Sequence, residues 1–345
     1  MSLKSNVKKL IEIQSVSGFE FDLANEVKKL FSEYADEIYK DALSSVILVK
    51  KSKNPKGSVM LEAHIDEIGL MVTKIDDDGF LYFTNVGGID ARILPANKVK
   101  VHGKKVLTGV IGAKPPHLLE ADEMEKTIPM DKLFIDVGLN KGECEKIVKV
   151  GDIVTFYPDF KLLSKDYIAA KSQDDKMSVA ILLDVLKNLK DTSLPFDLYV
   201  VLSSQEEVGL RGAKCAAYTV DPTFAIAIDV CHATTPDAKE GTFKSGSGTV
   251  ITKGPNLHKN LTNNIIKVLD KNKIKYNIEA CGGQTGTDAW VVQTAKNGIP
   301  VALFSIPLKY MHTPYEVVNI KDAEMTKKAI VKFLTSIESA GDALC

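Results

Sequence analysis

Histidine and carboxylate side chains, the residue types that bind divalent metals and move protons, are concentrated in five short segments of this sequence. Four of the segments fall where a predicted strand ends or a predicted helix begins, which is where α/β enzymes collect their catalytic groups. The segments are HIDE at 64–67, QDDK at 173–176, SQEE at 204–207, ID at 228–229 and MHT at 311–313.

The first segment contains a His-x-Asp pair at the end of an apolar strand. Alternate residues of an extended chain point to the same side, so His64 and Asp66 can meet. Asp66 would accept the proton of one imidazole nitrogen while the other nitrogen faces a metal. The competing interpretation is an unconnected pair at a strand terminus on the surface.

The other acidic residues have ordinary explanations when each is taken alone. Asp174 and Asp175 would cap the helix that follows them, and Glu206 and Glu207 would form a solvated loop. If such carboxylates are buried without a partner, protons return to them, whereas a divalent cation removes that penalty. Neighbouring strand-end residues point apart, so one glutamate would bind metal while the other stays free as a base.

The combination of these segments is more specific than any one of them. Two histidines and three carboxylates form the ligand set that a pair of divalent ions requires, particularly when one carboxylate bridges them. A free glutamate beside a ligand supplies the general base for water. The sequence therefore predicts a hydrolytic site with two metal ions.

The elements that would position these segments follow two patterns. Strands and helices alternate in 1–66 and 164–345, with helices predicted over 258–272, 287–297 and 321–338, which indicates an α/β sandwich with a largely buried, mixed sheet. Between them, 67–163 consists of short alternating segments broken by Gly, Pro or Asp about every eight to twelve residues, which is typical of a small all-β barrel or sandwich. We expect one α/β domain interrupted by this β-rich insertion.

Composition excludes several classes of protein. The 45 acidic and 44 basic side chains are interspersed and leave a net charge of -1, so no surface field would attract nucleic acid. No apolar run approaches the roughly 18 to 20 residues that span a bilayer, and the N-terminus lacks an apolar signal core, so we expect a cytoplasmic protein without a membrane partner. The five cysteines are scattered without a CxxC spacing, which argues against a disulfide framework or a structural zinc site.

A series of short motifs runs in order along nearly the whole chain: SVSGFE, HIDEIGLMV, GVIGAKPPHLL, DDK, QEEVGLRGA, AIDV, TDA, NGIP and SIPLKYMHTPYEVV. In these motifs the sequence resembles the TET family of co-catalytic metal aminopeptidases, which includes glutamyl aminopeptidase and relatives labelled cellulase M or endoglucanase. The resemblance implies a zinc-exopeptidase-like α/β/α catalytic domain formed by 1–66 and 164–345. It also implies that 67–163 is a β-barrel used for assembly into homo-oligomers, with dimers building a dodecamer.

The same resemblance implies a ligand set for two divalent ions per subunit. Asp174 would bridge the ions. His64 and Asp229 would complete one site, and Glu207 and His312 would complete the other. The ions would be zinc or cobalt, with manganese as an alternative, and the substrates would be short peptides.

The remaining roles implied by the resemblance concern proton transfer and substrate. Glu206 would be the general base and acid, and Asp66 would orient His64. Thr287 and Asp288, in the TDA motif, would contact the substrate. Two departures from the family pattern leave the preferred side chain open: Lys176 stands where arginine is usual, and CGGQTGTDA at 281–289 replaces a compact GGTDA.

Three alternatives to an aminopeptidase stay open at this stage. A related metal-dependent amidase or deacylase would use the same ligands but needs a cationic anchor for a substrate carboxylate. An endoglucanase needs two carboxyl groups facing each other about 5 to 10 Å apart, and the 7% aromatic content provides few rings to stack on sugars. A non-catalytic assembly protein would have no reason to keep an intact set of buried ligands.

Overall fold

The computed structural model describes residues 2–120 and 125–345 of the chain. Residue 1 and residues 121–124, which belong to the two predicted domains, lie outside the described residues. The strands are β1 (Glu37–Lys40), β2 (Val46–Lys50), β3 (Ser58–His64), β4 (Gly69–Ile75), β5 (Leu81–Val86), β6 (Lys98–His102), β7 (Val106–Ile111), β8 (Ile135–Asp136), β9 (Ile153–Phe156), β10 (Lys161–Leu162), β11 (Tyr167–Ala170), β12 (Asp197–Ser203), β13 (Phe224–His232), β14 (Thr249–Lys253), β15 (Tyr276–Ala280), β16 (Val301–Lys309) and β17 (Glu316–Asn319). The α-helices are α1 (Leu3–Ile11), α2 (Phe21–Phe31), α3 (Lys141–Cys144), α4 (Gln173–Asn188), α5 (Arg211–Val220), α6 (Lys259–Lys271), α7 (Ala289–Val292) and α8 (Ile320–Leu334).

An eleven-stranded mixed sheet forms the centre of the fold, in the order β1-β2-β12-β3-β13-β16-β17-β11-β10, with β14 pairing with β16 and β15 with β14. The central pairs β12-β3, β3-β13 and β13-β16 are parallel, whereas the pairs nearer the ends of this order are antiparallel. The central strands are continuous apolar runs because both of their faces are covered. Their parallel arrangement brings their carboxyl ends to one edge of the sheet.

Helices cover both faces of this sheet. Val59 and Leu61 of β3 belong to a large core formed with α1, α2, α4, α6 and α8. Met60, on the opposite face of the same strand, packs in a smaller cluster with the alanines of α5 and with α7. This alternation of buried residues produces three layers, which confirms the predicted α/β/α sandwich with a mixed sheet.

The insertion is a closed antiparallel barrel with the strand order β4-β5-β8-β7-β6-β9. Its interior has a core of its own, which includes Val72, Phe83 and Val101. The structure thus resolves the choice between barrel and sandwich. The last strand of the barrel, β9, ends at Phe156. The next strand, β10, also lies within 67–163, but it pairs with β11 in the large sheet. That the barrel serves oligomerisation stays a prediction.

One predicted helix is shorter in the structure. The helix predicted over 287–297 is wrong in length: α7 ends at Val292, and the chain continues in turns in which Lys296 and Gly298 have positive φ. None of the helices in 2–120 and 125–345 has the length and apolar character needed to span a bilayer.

Candidate active site

The predicted site residues meet at the carboxyl edge of the parallel strands. His64 is the last residue of β3 and is paired in register with Ser203, the last residue of β12. Asp229 lies two residues beyond Ala227, which is paired with Glu62 on β3, so the register brings Asp229 level with His64. Parallel strands thus place three segments that are far apart in sequence at one edge.

Asp174 lies between the two histidines. Its Oδ1 is 3.1 Å from His64 Nε2, and its Oδ2 is 3.3 Å from His312 Nε2. The same His312 nitrogen is 3.2 Å from Glu207 Oε1. One carboxylate therefore faces both imidazoles, each with a different oxygen.

Six side chains form two groups in which the potential ligand atoms all lie within 4.8 Å of one another. The structure brings together all five ligands predicted from the sequence and adds Asp175, which sequence reasoning treated only as a helix cap. One group is His64, Asp175 and Asp229, and the other is Asp174, Glu207 and His312.

The donor set fits divalent cations. Both carboxylate oxygens of Asp175 are buried without a hydrogen-bond partner in the described part of the chain. Burial and repulsion by Asp229 raise the pKa of Asp175 well above its usual value, and burial likewise raises the pKa of Asp229 and Glu207. Clustered acids of this kind retain protons unless cations compensate their charge. Imidazole and carboxylate donors around such charges suit zinc, cobalt or manganese.

His312 is held through both its ring and its backbone. Its Nδ1–H donates to the carbonyl oxygen of Gly88 at 2.8 Å, and its backbone N–H donates to Glu316 Oε1 at 2.9 Å. Nε2 faces Asp174 and Glu207. Because the proton of the neutral imidazole is on Nδ1, the lone pair of Nε2 is available to a metal ion. Burial favours the neutral imidazole, but contacts with these two acids raise the pKa of His312 to about 11. Metal binding at Nε2 therefore competes with protonation.

Asp66 fixes the turn that carries both glutamates. Its two oxygens accept the backbone N–H groups of Glu206 and Glu207 at 3.0 and 3.1 Å, and one also accepts the hydroxyl of Ser17. The distance from His64 Nδ1 to Asp66 Oδ1 is 3.5 Å, too long for a good hydrogen bond. Asp66 thus positions the glutamates more directly than it orients His64.

Glu206 faces the cavity without belonging to either ligand group. Burial raises the pKa of Glu206 to about 10, with a smaller contribution from Asp229. The preceding residue, Gln205, has a φ of 57°, and Ser172 and His312 have φ values of 54° and 60°. Left-handed backbone at non-glycine residues is costly and is concentrated at functional sites.

The site opens into a cavity of about 550 Å³, lined by the predicted metal ligands, Glu206 and Thr287. Asp288, predicted with Thr287 to contact substrate, is buried and does not line the cavity. Its carboxylate instead accepts the hydroxyl of Ser203 at 2.7 Å, beside the buried Glu62. The structure therefore supports substrate contact by Thr287 but not by Asp288.

Sequence reasoning also missed Glu316, which opens β17. Its Oε1 accepts the backbone N–H of His312 and its Oε2 accepts that of Asp174 at 3.1 Å. One buried carboxylate thus positions two potential ligands. The only signal in the sequence was an acid placed directly before the apolar residues Val317 and Val318.

Lys176, which stands where arginine is usual, lies beneath the site. The ammonium group is completely buried and donates to Glu67 Oε1 and to the carbonyl of Ile13, both at 3.1 Å. Glu67 also accepts from Lys171 and Ser172, so two lysines share one carboxylate at the start of α4. Burial lowers the pKa of Lys176 to about 7. Lysine here supports the segment that carries Asp174 and does not face the cavity.

Comparison with known proteins gives matches along nearly the whole chain. Residues 44–329 match the family described as M42 glutamyl aminopeptidase. A lysyl aminopeptidase of Pyrococcus furiosus is 36% identical over 338 residues, which cover 96% of this chain and 96% of the relative. An aminopeptidase from the archaeon Desulfurococcus kamchatkensis superimposes with a TM-score of 0.91 at 33% identity, covering 97% of this chain and 95% of that chain. The TET1 peptidase of Pyrococcus horikoshii, described as able to assemble into a tetrahedron or a large octahedral shell, superimposes with a TM-score of 0.87 at 33% identity, covering 97% of this chain and 100% of that chain.

Proposed function

The chain belongs to the M42 glutamyl aminopeptidase family and is a metal-dependent aminopeptidase, and we propose that it removes N-terminal residues from short peptides with two divalent ions per subunit. The family resemblance inferred from the sequence is thereby confirmed. The observation that carries the two-ion proposal is the placement of Asp174, which directs one oxygen to His64 and the other to His312.

In this proposal each ion has its own ligand group. His64 and Asp229 hold one ion, with Asp175 close enough to contribute, and Glu207 and His312 hold the other. Asp174 serves both. Zinc or cobalt suits these donors, and manganese is the alternative.

The bound metals would polarise the scissile carbonyl and make a water molecule more acidic. Glu206 receives the proton of that water at its carboxylate and then passes it to the departing amine. Burial raises the pKa of Glu206, and two divalent ions beside it would lower that pKa so that its carboxylate can accept the proton. Asp66 accepts the backbone N–H of Glu206 and so restrains the position of the base beside the ligands.

The cavity wall disfavours the other hydrolytic candidates. A deacylase or carboxypeptidase needs a cationic anchor, and no lysine or arginine lines the cavity in the part of the chain that the structure describes. An endoglucanase needs two opposed carboxyl groups that are free of metal. Here Glu207 and Asp229 lie within the ligand groups. A protein without catalytic activity would have no reason to retain the half-buried Glu206, which belongs to neither ligand group, beside these ligands.

Assembly into homo-oligomers is also proposed, with the barrel as the contact surface and a dodecamer as the expected form. Val106, Val110 and Val150 of the insertion are exposed by 55%, 47% and 67%, so contacts between subunits at these residues would remove apolar surface from water. A cytoplasmic location remains the expectation from the sequence. Light scattering of the purified protein tests the assembly, since a monomer in solution would contradict it.

A panel of aminoacyl p-nitroanilides tests the activity after chelation and readdition of zinc, cobalt or manganese singly. We expect chelation to abolish cleavage, one or more metals to restore it, and N-acetylated substrates to be resistant. Equal cleavage of N-acetylated substrates would favour the amidase alternative. Release of reducing ends from carboxymethyl-cellulose would favour the endoglucanase.

The substrate panel is needed because the names of the matched proteins specify first residues of opposite charge. The family is called glutamyl aminopeptidase, whereas the Pyrococcus furiosus relative is called lysyl aminopeptidase. The preferred first residue of this chain therefore depends on the charges that line its own cavity.

A further inference from the structure

Glu279 is an acid of the cavity wall that the proposed reaction does not use. It lies on β15, the outermost strand of its branch of the sheet, and lines the cavity that contains the metal ligands. Its Oε2 accepts the hydroxyl of Thr252, its partner in register on β14, at 2.7 Å. This bond fixes the side chain at the wall.

The charge of Glu279 is not balanced by the protein. The other acids of the wall, Asp174, Glu206, Glu207 and Asp229, are assigned to metal binding or proton transfer. Among the described residues, Glu279 forms no ion pair, and the hydroxyl of Thr252 is its one hydrogen-bond partner. Thr252 engages Oε2, so among the described residues Oε1 is the oxygen of this cavity-lining side chain that is left without a hydrogen-bond partner.

The same wall can accommodate an aliphatic stem. Leu210, Leu303 and Met311 line the cavity together with Glu279, and no lysine or arginine is present in the lining that the structure describes. A cavity that combines these apolar residues with an unassigned carboxylate is complementary to a side chain with a long hydrocarbon stem and a cationic tip. A cavity selective for an acidic first residue would need the opposite charge.

We propose that Glu279 binds the ammonium or guanidinium group of the first side chain of the substrate, so that the enzyme prefers peptides beginning with lysine or arginine. The inference rests on the proposed aminopeptidase function. Glu279 is thus a specificity-determining residue, distinct from the metal ligands and from Glu206. Removal of its charge would leave the reacting groups in place.

Kinetics with metal-loaded wild type, E279Q and E279K test the inference on the p-nitroanilides of lysine, arginine, norleucine and glutamate. We expect wild type to favour lysine over norleucine, and E279Q to lower kcat/KM for lysine and arginine by about 10- to 100-fold while norleucine changes by less than about threefold. E279K should raise the relative rate on glutamate. E324Q removes a charge from the exposed side of α8 and is the matched control.

Two kinetic results would overturn the inference. An unchanged ratio of lysine to norleucine in E279Q would show that the carboxylate does not read the first side chain. An equal loss on all four substrates would show that Glu279 binds the α-amine common to them.

A binding measurement separates this inference from the proposed function. Calorimetry with L-lysinol and L-norleucinol is expected to show tighter binding of lysinol to wild type by about tenfold, and equal binding of both to E279Q. If wild type cleaves none of the p-nitroanilides yet retains this difference, the aminopeptidase proposal fails while the cationic subsite stands. Equal binding of the two amino alcohols to wild type would overturn the subsite.

Discussion

The carbonyl oxygen of Gly88 accepts a hydrogen bond from His312 Nδ1 at 2.8 Å, which links the inserted barrel to a predicted metal ligand of the catalytic domain. Gly88 follows β5, and His312 lies in the loop between β16 and β17. The barrel therefore contributes a contact to the candidate site. It holds the imidazole in the tautomer that leaves Nε2 free toward Asp174.

Substitution of Gly88 by alanine is expected to weaken metal binding. A Cβ at this position would lie 3.2 Å from His312 Nδ1, so the ring would have to shift. Alanine keeps the carbonyl but displaces the ring from it, so the effect should stay within the range of about 10- to 100-fold in metal affinity or activity that such outer partners contribute. Metal titration followed by activity measures the effect. Gly282, where a Cβ would meet nothing within 4 Å, provides the control variant G282A; equal effects of the two substitutions would contradict this role.

Removal of the Asp174 carboxylate is expected to reduce binding at both metal positions. D174A removes both carboxylate oxygens, the one that faces His64 and the one that faces His312, so under the bridging proposal each ion position loses a donor. We expect metal content to fall from about two ions per chain to less than one. Elemental analysis after dialysis gives the content. A variant that loses one ion and retains the other fully would show that Asp174 does not bridge.

The free energy of unfolding should depend on pH through the titration of Asp322. The buried Asp322 accepts the backbone N–H groups of Gly246 and Gly248, and burial raises its pKa from 3.8 to about 6. Between these values the folded state holds a proton that the unfolded state has released. The free energy of unfolding should therefore fall as pH rises from about 4 to 6, by up to about 3 kcal/mol from this group.

Urea unfolding of wild type and D322N between pH 4 and pH 7, with chelator present, isolates this contribution. The asparagine side chain does not titrate, so the difference in stability between the two proteins should change in favour of D322N as the pH rises. A constant difference across this range would contradict the assignment.

Local patterns in the sequence were enough to single out the segments that the structure brings together at the candidate site. The apolar run of β3 ends at His64 and that of β13 carries Asp229, because central parallel strands must be apolar until they emerge at the sheet edge. The break between alternating β segments and α/β segments similarly indicated the insertion. Those features depend on the residues of one strand and its immediate neighbours.

The supporting contacts were not accessible in the same way. Gly88 and His312 are 224 residues apart, and Asp174 and Glu316 are 142 apart, so nothing in either local sequence indicates the partner. Asp175 was read as a helix cap because an acid at the start of a helix normally is one. The sequence leaves open whether Lys176 affects the preferred substrate side chain, whereas in the structure tertiary packing buries it against Glu67.

The most direct test of the account is to measure metal content and kcat together in E206Q, using the best p-nitroanilide and wild type as reference. Glu206 belongs to neither ligand group, so metal content should stay at about two ions per chain. Loss of the base should lower kcat by about 100- to 10,000-fold. Full metal content with kcat close to that of wild type would contradict the assignment of Glu206 as the proton carrier.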